Sequence, residues 1–291
     1  MPGRGSTLTF LGTGGGRFAC ILQARATGGI YLQLERAGSD EKARIHIDPG
    51  PGALVRMLAM GLDPLRTDAI LVSHCHPDHY ADAEILIEGM TGGGRKRAGA
   101  LLASRSVIEG VEGYGPAISR YHRERPRRVR ALSAGDRAEV LGICIRATPS
   151  SHSDPTSVGF RIRTRHGVVG YLSDTALSKE VAEAHAGSRV LILPVTSSLG
   201  ARIPFHLDVE DAARLCEAVG PELALLTHFG MGVIREGPER VADKVRKRSG
   251  VATVAAEDGM VVAIGRKITL HELRREARSF SPGRSVKGQT S

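Results

Sequence analysis

Three histidines and one aspartate fall within six consecutive residues of this chain, His74-Cys75-His76-Pro77-Asp78-His79. The run follows an apolar segment, residues 69–73, whose length and composition predict a buried strand. Side chains of these types at this density do not suit a hydrophobic core. Imidazole nitrogens and carboxylate oxygens are, however, ligands that zinc, iron and manganese accept in proteins. The cluster therefore predicts a metal site at the end of a strand.

Three further candidate ligands, His152, Asp174 and His228, lie downstream in comparable places. Each stands at, or shortly after, the carboxyl end of a predicted strand, so all three are expected to face the same rim of the fold. A hydrogen-bonded structural role would explain any one of them alone. Their joint occurrence in this order favours a single metal site.

These residues belong to a longer series of motifs. The series is Phe10-Leu11-Gly12-Thr13-Gly14, Ile47-Asp48-Pro49-Gly50, the histidine cluster, His152, Ser173-Asp174-Thr175, Thr227-His228-Phe229 and Asp258-Gly259-Met260. Over nearly the whole chain it resembles the metallo-β-lactamase superfamily, and within it the ribonuclease Z-like and small phosphodiesterase branch. The resemblance implies an α/β (α+β) fold, a four-layer αββα sandwich. We expect this hydrolase domain to span residues 1–270, followed by a basic tail over residues 271–291.

The resemblance also implies a binuclear site. His74, His76 and His152 would hold one metal, Asp78, His79 and His228 the other, and Asp174 would bridge the two together with a water or hydroxide. The expected cofactors are two divalent ions, Zn²⁺ first, with Mn²⁺ or Fe²⁺ as alternatives because these ligand types suit all three. One zinc lowers the pKa of a bound water from ~15.7 to ~7, and Asp78 is expected to orient the resulting hydroxide.

Two residues outside this ligand set are candidates for supporting roles. Asp48 is expected to order the ligand loop, because partners of metal ligands typically change affinity or activity ~10–100-fold. His206 precedes a predicted helix at 209–219. Ribonuclease Z-like proteins place a histidine there, in a His-x-Thr motif, that contacts the scissile phosphate or supplies a proton. The third residue here is Asp208, so the match is partial and an ordinary loop histidine is the alternative.

The net charge of +9 is unevenly distributed. Residues 119–130 contain six arginines and one glutamate, which predicts an anionic partner, RNA in particular. A solvated arginine-rich face is the alternative. The predicted RNA contacts are Arg120, Arg123, Arg125, Arg127, Arg128 and Arg130.

Composition also bears on the compartment and on the assembly. The chain has no tryptophan, which weakens the case for a base-stacking platform. Four scattered cysteines without a Cys-x-x-Cys pair are typical of reduced thiols. With no apolar stretch of membrane-spanning length, we expect a cytoplasmic protein without membrane association. The sequence leaves open a homodimer.

Short strand-like runs alternate with helical ones, which predicts two sheets with helices on their outer faces. The Asp258-Gly259 pair predicts a tight hairpin between the last two of these strands. The predicted strands are 7–11, 29–34, 44–48, 69–73, 142–147, 158–163, 168–173, 190–194, 223–226, 251–255 and 260–264. The predicted helices are 53–60, 80–90, 179–186, 209–219 and 239–248.

The expected function is a binuclear metal-dependent phosphodiesterase that acts on RNA or a small nucleotide-like phosphodiester through a metal-bound hydroxide. Ribonuclease Z commonly carries a tRNA-binding arm between the third histidine and the bridging aspartate, whereas one predicted hairpin separates His152 from Asp174 here. Processing of tRNA 3′ ends is therefore less favoured. A lactone or thioester hydrolase with the same metals is the alternative. A non-catalytic RNA-binding subunit is the alternative of another class, against which the intact ligand set counts.

Overall fold

A computed structural model describes residues 5–198 and 200–272 of the chain. Its strands form two sheets. The first has the order β15 (Ile268–Glu272), β14 (Met260–Ile264), β1 (Ser6–Phe10), β2 (Ile30–Arg36), β3 (Ser39–Ile47), β4 (Ala69–Val72), β5 (Ala98–Ser104) and β6 (Pro126–Leu132). The second has the order β13 (Thr253–Ala255), β12 (Leu223–Thr227), β11 (Val190–Pro194), β10 (Gly167–Tyr171), β9 (Val158–Thr164), β8 (Ile143–Pro149) and β7 (Arg137–Val140).

Ten helices among the described residues connect and cover these strands. They are α1 (Arg17–Leu22), α2 (Ala53–Ala59), α3 (Pro77–Tyr80), α4 (Ala83–Thr91), α5 (Arg105–Ile108), α6 (Arg120–Arg123), α7 (Lys179–His185), α8 (Val209–Val219), α9 (Met231–Glu236) and α10 (Pro238–Ser249). One 3₁₀ turn spans Pro64–Arg66. None of the described helices has the length and apolarity that a membrane crossing requires.

Three apolar layers hold the elements together. The central layer lies between the sheets and contains Phe10, Leu71 and Phe160. A second layer, including Leu193, packs α7, α8 and α10 on the outer face of the second sheet. A third layer, including Leu101, packs α2 and α4 on the outer face of the first sheet. The predicted four-layer αββα sandwich is therefore confirmed.

Strand direction brings the carboxyl ends of distant strands to one rim. Strands β3 to β6 run parallel to one another in the first sheet, and β10 to β13 do so in the second. The connections that leave β4, β8, β10 and β12 at this rim carry the seven predicted metal ligands. Short strands buried on both faces suit such positions, because helices cover parallel strands on the outside.

The predicted hairpin around Asp258-Gly259 is wrong. Strand β13 pairs with β12 in the second sheet, whereas β14 pairs with β1 in the first, so the chain crosses from one sheet to the other. The reason is tertiary: the Asp258 carboxylate accepts hydrogen bonds from the backbone N–H groups of Thr13 and Ala26. These bonds fix the segment against the N-terminal loop instead of closing a local turn.

Four strands were not predicted: β5, β6, β7 and β15. In β6 exposed Arg128 and Arg130 alternate with the half-buried Val129 and Ala131. The charge of the arginines masks this alternation, which is the sequence pattern of a strand. Strand β15 includes the first two residues of the predicted tail, His271 and Glu272. The rest of that predicted tail lies outside the described residues.

His185, at the end of α7, makes the stability of this fold depend on pH. Its ring is fully buried and lies 3.0 Å from the Thr148 hydroxyl oxygen. Burial, reinforced by the charge of Arg161, lowers the pKa of His185 to about 3. The unfolded chain binds a proton below pH ~6.5 and the folded chain does not, so stability is complete above that pH and is lost as the pH falls towards 3.

Between pH 7 and pH 5, we expect the free energy of unfolding of His185→Gln to decrease by about 2 kcal/mol less than that of the wild type. Urea unfolding at a series of pH values measures this difference. His271→Gln, at an exposed position of β15, is the matched control and should retain the wild-type slope. An unchanged slope in His185→Gln would contradict the role given to burial.

Candidate metal centre

The loop after β4 delivers the histidine cluster to the rim. His76 caps α3, and Pro77 occupies its first turn, where a missing N–H costs nothing. The helix turns Asp78 and His79 back towards the rim that His74 already faces. His74 and His79 are buried, with at most 3% of either residue exposed. A short proline-started helix therefore explains how ligands close in sequence reach two neighbouring positions.

Three imidazole rings form the first trio of candidate ligands. The Nε2 atom of His74 lies 3.1 Å from Nδ1 of His76, and Nε2 of His152 lies 3.2 Å from the same nitrogen. Ligand atoms ~2.0–2.1 Å from a zinc ion at tetrahedral angles are about 3.3 Å apart. The spacing within this first trio is therefore that of one metal coordination sphere.

A second trio lies beside it. His79 and His228 place their Nε2 atoms 3.1 Å apart, and the Asp78 Oδ2 atom lies 3.4 Å from the nitrogen of His228 and 3.8 Å from that of His79. The three ligand atoms fall within 4.8 Å of one another. One carboxylate and two imidazoles form a mixed oxygen and nitrogen set that zinc, iron and manganese accept.

Asp174 lies between the two trios. Its carboxylate is 3.7 Å from His79 and 3.3 Å from His228, and it also forms a metal-compatible group with His74 and His79. Asp174 is 3% exposed, and its Oδ1 atom has no hydrogen-bond partner among the described residues. An unpaired buried carboxylate oxygen is costly. A cation at this position would remove that cost, so the residues present fit a metal centre.

The protonation states of the two trios differ. Burial lowers the pKa of His74 and His76, and it lowers that of His152 to about 4, so all three rings offer lone pairs at neutral pH. Burial acts in the same direction on His79, but the charges of Asp78 and Asp48 outweigh it and raise the pKa of that ring. A proton therefore occupies the second trio in the chain alone, and metal binding would displace it.

Asp48 anchors the loop from the first sheet, as the sequence suggested. Its Oδ1 accepts the backbone N–H of Ser73 at 2.7 Å, and its Oδ2 accepts the Ser73 hydroxyl at 2.6 Å and the Tyr171 phenol at 2.5 Å. The same Oδ2 lies 2.9 Å from Nδ1 of His79. Because that nitrogen is held, the Nε2 of His79 points into the second trio.

Asp154 anchors the same loop from the other side, and sequence reasoning missed it. It is fully buried. Its Oδ2 accepts the backbone N–H of Cys75 at 2.9 Å and the Ser106 hydroxyl, while Oδ1 accepts the backbone N–H and hydroxyl of Thr156, each at 2.9 Å. Asp154 stands two residues after His152, so it links the loop that carries His152 to the histidine cluster. Its spacing from His152 does not reveal this role, because the donors it binds are distant in sequence.

The glycine-rich opening lets the backbone approach the centre. A Cβ atom on Gly15 would lie 2.1 Å from the ring of His228, so no other residue fits there. The N–H of Gly16 donates to the Asp78 Oδ2 atom at 3.0 Å. The structure thus gives this loop a positioning role, consistent with the absence of a nucleotide-binding Gly-Lys-Ser/Thr sequence.

His206 reaches the cluster from the segment before α8. Its Nε2 atom lies 3.2 Å from the Asp174 Oδ2 atom, and its Nδ1 lies 2.8 Å from the carbonyl oxygen of Pro204. Burial favours the neutral ring, but the hydrogen bond to Asp174 and its charge outweigh burial and raise the pKa of His206. The structure therefore brings all eight predicted site residues to one place.

The arginine-rich segment is spread over two different environments. Arg120, Arg123 and Arg125 have partners within the fold, respectively Glu124, the carbonyl of Ile108 and the ring of Tyr121. Arg128 and Arg130 lie on the side of β6 that faces the second sheet, and each donates to a backbone carbonyl of β7. Arg127 is exposed. The six side chains do not form one continuous surface.

A family model described as a β-lactamase superfamily domain matches residues 43–229, which include all of the clustered histidines and aspartates. The chain belongs to the metallo-β-lactamase superfamily. Its members include metal-dependent hydrolases, and both the fold and the His/Asp cluster of this protein agree with that membership.

Relatives support the assignment. An uncharacterized protein of Methanocaldococcus jannaschii is 39% identical over 259 residues, which cover 88% of this chain and 94% of that protein. A metal-dependent hydrolase of Methanopyrus kandleri is 28% identical, with 64% of this chain and 76% of that protein covered. Ribonuclease Z of Mycobacterium bovis is 25% identical, with 70% and 83% covered.

Solved structures share the fold. The metallo-β-lactamase fold protein YhfI of Bacillus subtilis superposes with a TM-score of 0.70 at 19% identity and covers 88% of this chain and 98% of its own. A diphosphatase of the PhnP family superposes with a TM-score of 0.62, also at 19% identity, with 88% and 96% covered. At this level of identity the likeness concerns the fold alone.

We expect Asp154→Asn to weaken metal binding ~10–100-fold and to lower the free energy of unfolding by about 1–3 kcal/mol. The amide keeps the size of the side chain but replaces one acceptor oxygen with an NH2 donor, which then faces the N–H and O–H groups that this oxygen accepted from. Competition for zinc with a chromophoric chelator measures the affinity, and urea unfolding measures the stability. Asp243→Asn, at an exposed site on α10, is the control. Wild-type zinc affinity in Asp154→Asn would contradict the anchoring role.

Proposed function

We propose that this protein is a binuclear metal-dependent phosphodiesterase. The observation that carries the proposal is the arrangement of two trios of ligand atoms around Asp174, whose buried Oδ1 atom accepts no hydrogen bond from the described residues. His74, His76 and His152 would hold one divalent ion, and Asp78, His79 and His228 the other. Asp174 would bridge them. Zinc is the first choice, and manganese and iron suit the same donors.

When bound, a pair of divalent ions supplies a hydroxide at neutral pH and binds the oxygens of the group under attack. The residues of the chain itself orient the ligand atoms and the attacking oxygen. Asp48 and Asp154 fix the loop that carries four of the eight site residues, so these ligand atoms are arranged before substrate arrives. Asp78, held by the N–H of Gly16, is the carboxylate placed to orient the attacking oxygen.

Three features favour a phosphodiester as the substrate. A carboxylate occupies position 174, as in two-metal hydrolases, where many secreted β-lactamases have a cysteine. His206 adds an N–H donor at the edge of the cluster, and a phosphoryl group offers more oxygen acceptors than a planar ester does. Ribonuclease Z and the PhnP-family diphosphatase among the similar proteins are also named for cleaving phosphate esters or anhydrides.

His206 is placed to supply a proton to the leaving group. The carbonyl of Pro204 accepts a hydrogen bond from Nδ1, which fixes the ring and turns Nε2 towards the cluster. A proton on Nε2 can then pass to an alkoxide oxygen as it separates from phosphorus. This role requires no metal ligation by His206.

A substrate panel tests the function. We expect the zinc-loaded or manganese-loaded protein to hydrolyse bis-(p-nitrophenyl) phosphate and cyclic nucleotides, and to lose activity after chelation. Metal analysis should give two ions per chain. Asp174→Ala should lower turnover by at least ~100-fold, whereas Asp243→Ala should not. Hydrolysis of lactones or thioesters without phosphodiesters would replace this proposal with the carboxylic ester alternative. RNA binding that survives chelation, without any hydrolysis, would favour a non-catalytic subunit.

His206→Asn separates proton donation from positioning. The p-nitrophenolate group leaves without a proton, whereas a ribose hydroxyl needs one. We therefore expect kcat to fall ~100-fold or more for a ribose-leaving diester and less than ~10-fold for bis-(p-nitrophenyl) phosphate. His166→Asn, on the β9–β10 turn, is the control. An equal loss on both substrates would assign His206 to phosphate binding.

A further inference from the structure

The outward faces of three strands carry a row of arginines. In the second sheet, Arg137 of β7 lies opposite Arg146 of β8, and Arg146 lies opposite Arg161 of β9. Arg163 follows two residues after Arg161 on the same face. The intervening residues, such as Ile145 and Ile162, point into the core and are buried. Strand alternation therefore concentrates these four guanidinium groups on one surface.

Two arginines extend this surface from the other sheet. Arg128 and Arg130 of β6 reach across the junction between the sheets and donate to the carbonyls of Glu139 and Arg137. A groove of about 420 Å³ lies between β6 and β7, lined by Arg128, Arg130 and Arg137 together with Ala138, Glu139 and Cys144. Each guanidinium keeps further N–H donors, since it carries five in all.

This surface, the arginine face, is not neutralised by its own neighbours. Like charges directly opposite each other destabilise a sheet. Among the described residues, the carboxylate within 4.0 Å of any of these six arginines is that of Asp136, 3.4 Å from Arg130, and Glu139 is the acidic residue of β7. Burial and the charges of Arg146 and Arg163 lower the pKa of Arg161, as close like charges require. Six arginines against two acids leave a local excess of positive charge.

We propose that the arginine face binds the phosphate backbone of an RNA substrate, which assumes the phosphodiesterase function proposed above. Guanidinium groups match phosphate oxygens in a planar, bidentate manner. Leu141 is the exposed large apolar side chain that borders this face, whereas binding to a membrane surface relies on inserted apolar groups. Charge and composition thus favour a nucleic acid over a lipid surface.

The position of the face relative to the metal centre fits a substrate strand. Arg146 precedes His152 by six residues, a span of at most ~20 Å in extended chain. A strand of nucleic acid that rises ~3.4 Å per nucleotide covers that distance in about six nucleotides. Strand β9, which carries Arg161 and Arg163, belongs to the hairpin between His152 and Asp174, two residues of the candidate metal centre. The face would therefore contact RNA on one side of the cleaved bond.

The test is the triple variant Arg137→Ala, Arg146→Ala and Arg163→Ala. Arg161 is left in place because it donates to the carbonyls of Ala184 and Ala186 and so holds α7. The control is Arg214→Ala, Arg240→Ala and Arg246→Ala, which removes the same charge from exposed positions on α8 and α10. Both variants and the wild type are assayed with a 20-nucleotide single-stranded RNA and with bis-(p-nitrophenyl) phosphate.

We expect the triple variant to raise KM for the RNA ~10–100-fold, with kcat for bis-(p-nitrophenyl) phosphate unchanged. Fluorescence anisotropy of the same RNA on chelated protein should show a parallel loss of binding. Between 50 and 200 mM salt, the slope of log K against log salt is negative, and its magnitude should decrease by about 2 in the triple variant. Each phosphate contact on a single strand contributes ~0.7 to that magnitude. The control variant should match the wild type in each measurement.

Equal RNA affinity in the wild type and the triple variant would overturn the proposal. So would an equal loss in the control variant, or binding of the wild type to anionic vesicles but not to RNA. RNA binding that depends on the arginine face without turnover of any phosphodiester would retain the face and refute the proposed function. Turnover of small diesters with no RNA binding would retain the proposed function and refute the role given to the arginine face.

Discussion

The mutual repulsion of ligand atoms at the rim is the constraint on which the rest of this structure depends. Seven side chains direct imidazole nitrogens and carboxylate oxygens into one small volume, with neighbouring atoms as close as 3.1 Å. Such an arrangement persists only if the surrounding chain is rigid, or if cations compensate the charge. Asp48 and Asp154 provide the rigidity, since they hold alternate backbone N–H groups on either side of His74.

The ligands were predictable because each is tied to a local signal. Strands of four or five residues end one to three residues before His74, Asp174 and His228, and parallel strands bring such ends to one rim. Asp48 was predictable through its motif. Asp154 was not, because its role depends on donors from Cys75 and Ser106, which are distant in sequence and reveal nothing in their residue types.

The errors in the fold have the same origin. A local Asp-Gly signal predicted a hairpin where the Asp258 carboxylate instead bonds to two backbone groups near the N-terminus. A run of arginines conceals β6, because the charges of Arg128 and Arg130 hide their alternation with the half-buried Val129 and Ala131. Register, which only the structure shows, then placed Arg137 and Arg146 opposite each other. Local patterns determine element type, whereas partners across the sheets determine which surface a charge occupies.

The contact of Asp258 with Thr13 and Ala26 has a consequence for biosynthesis. The last of the predicted metal ligands along the chain is His228. The glycine-rich loop that packs against its ring is held by the Asp258 carboxylate, thirty residues further on. Strand β1 likewise lacks its second neighbour in the sheet until β14 has been synthesised. A nascent polypeptide that has emerged from the ribosome only as far as His228 therefore carries all seven predicted ligands, but it lacks the Asp258 carboxylate that fixes the glycine-rich loop against His228.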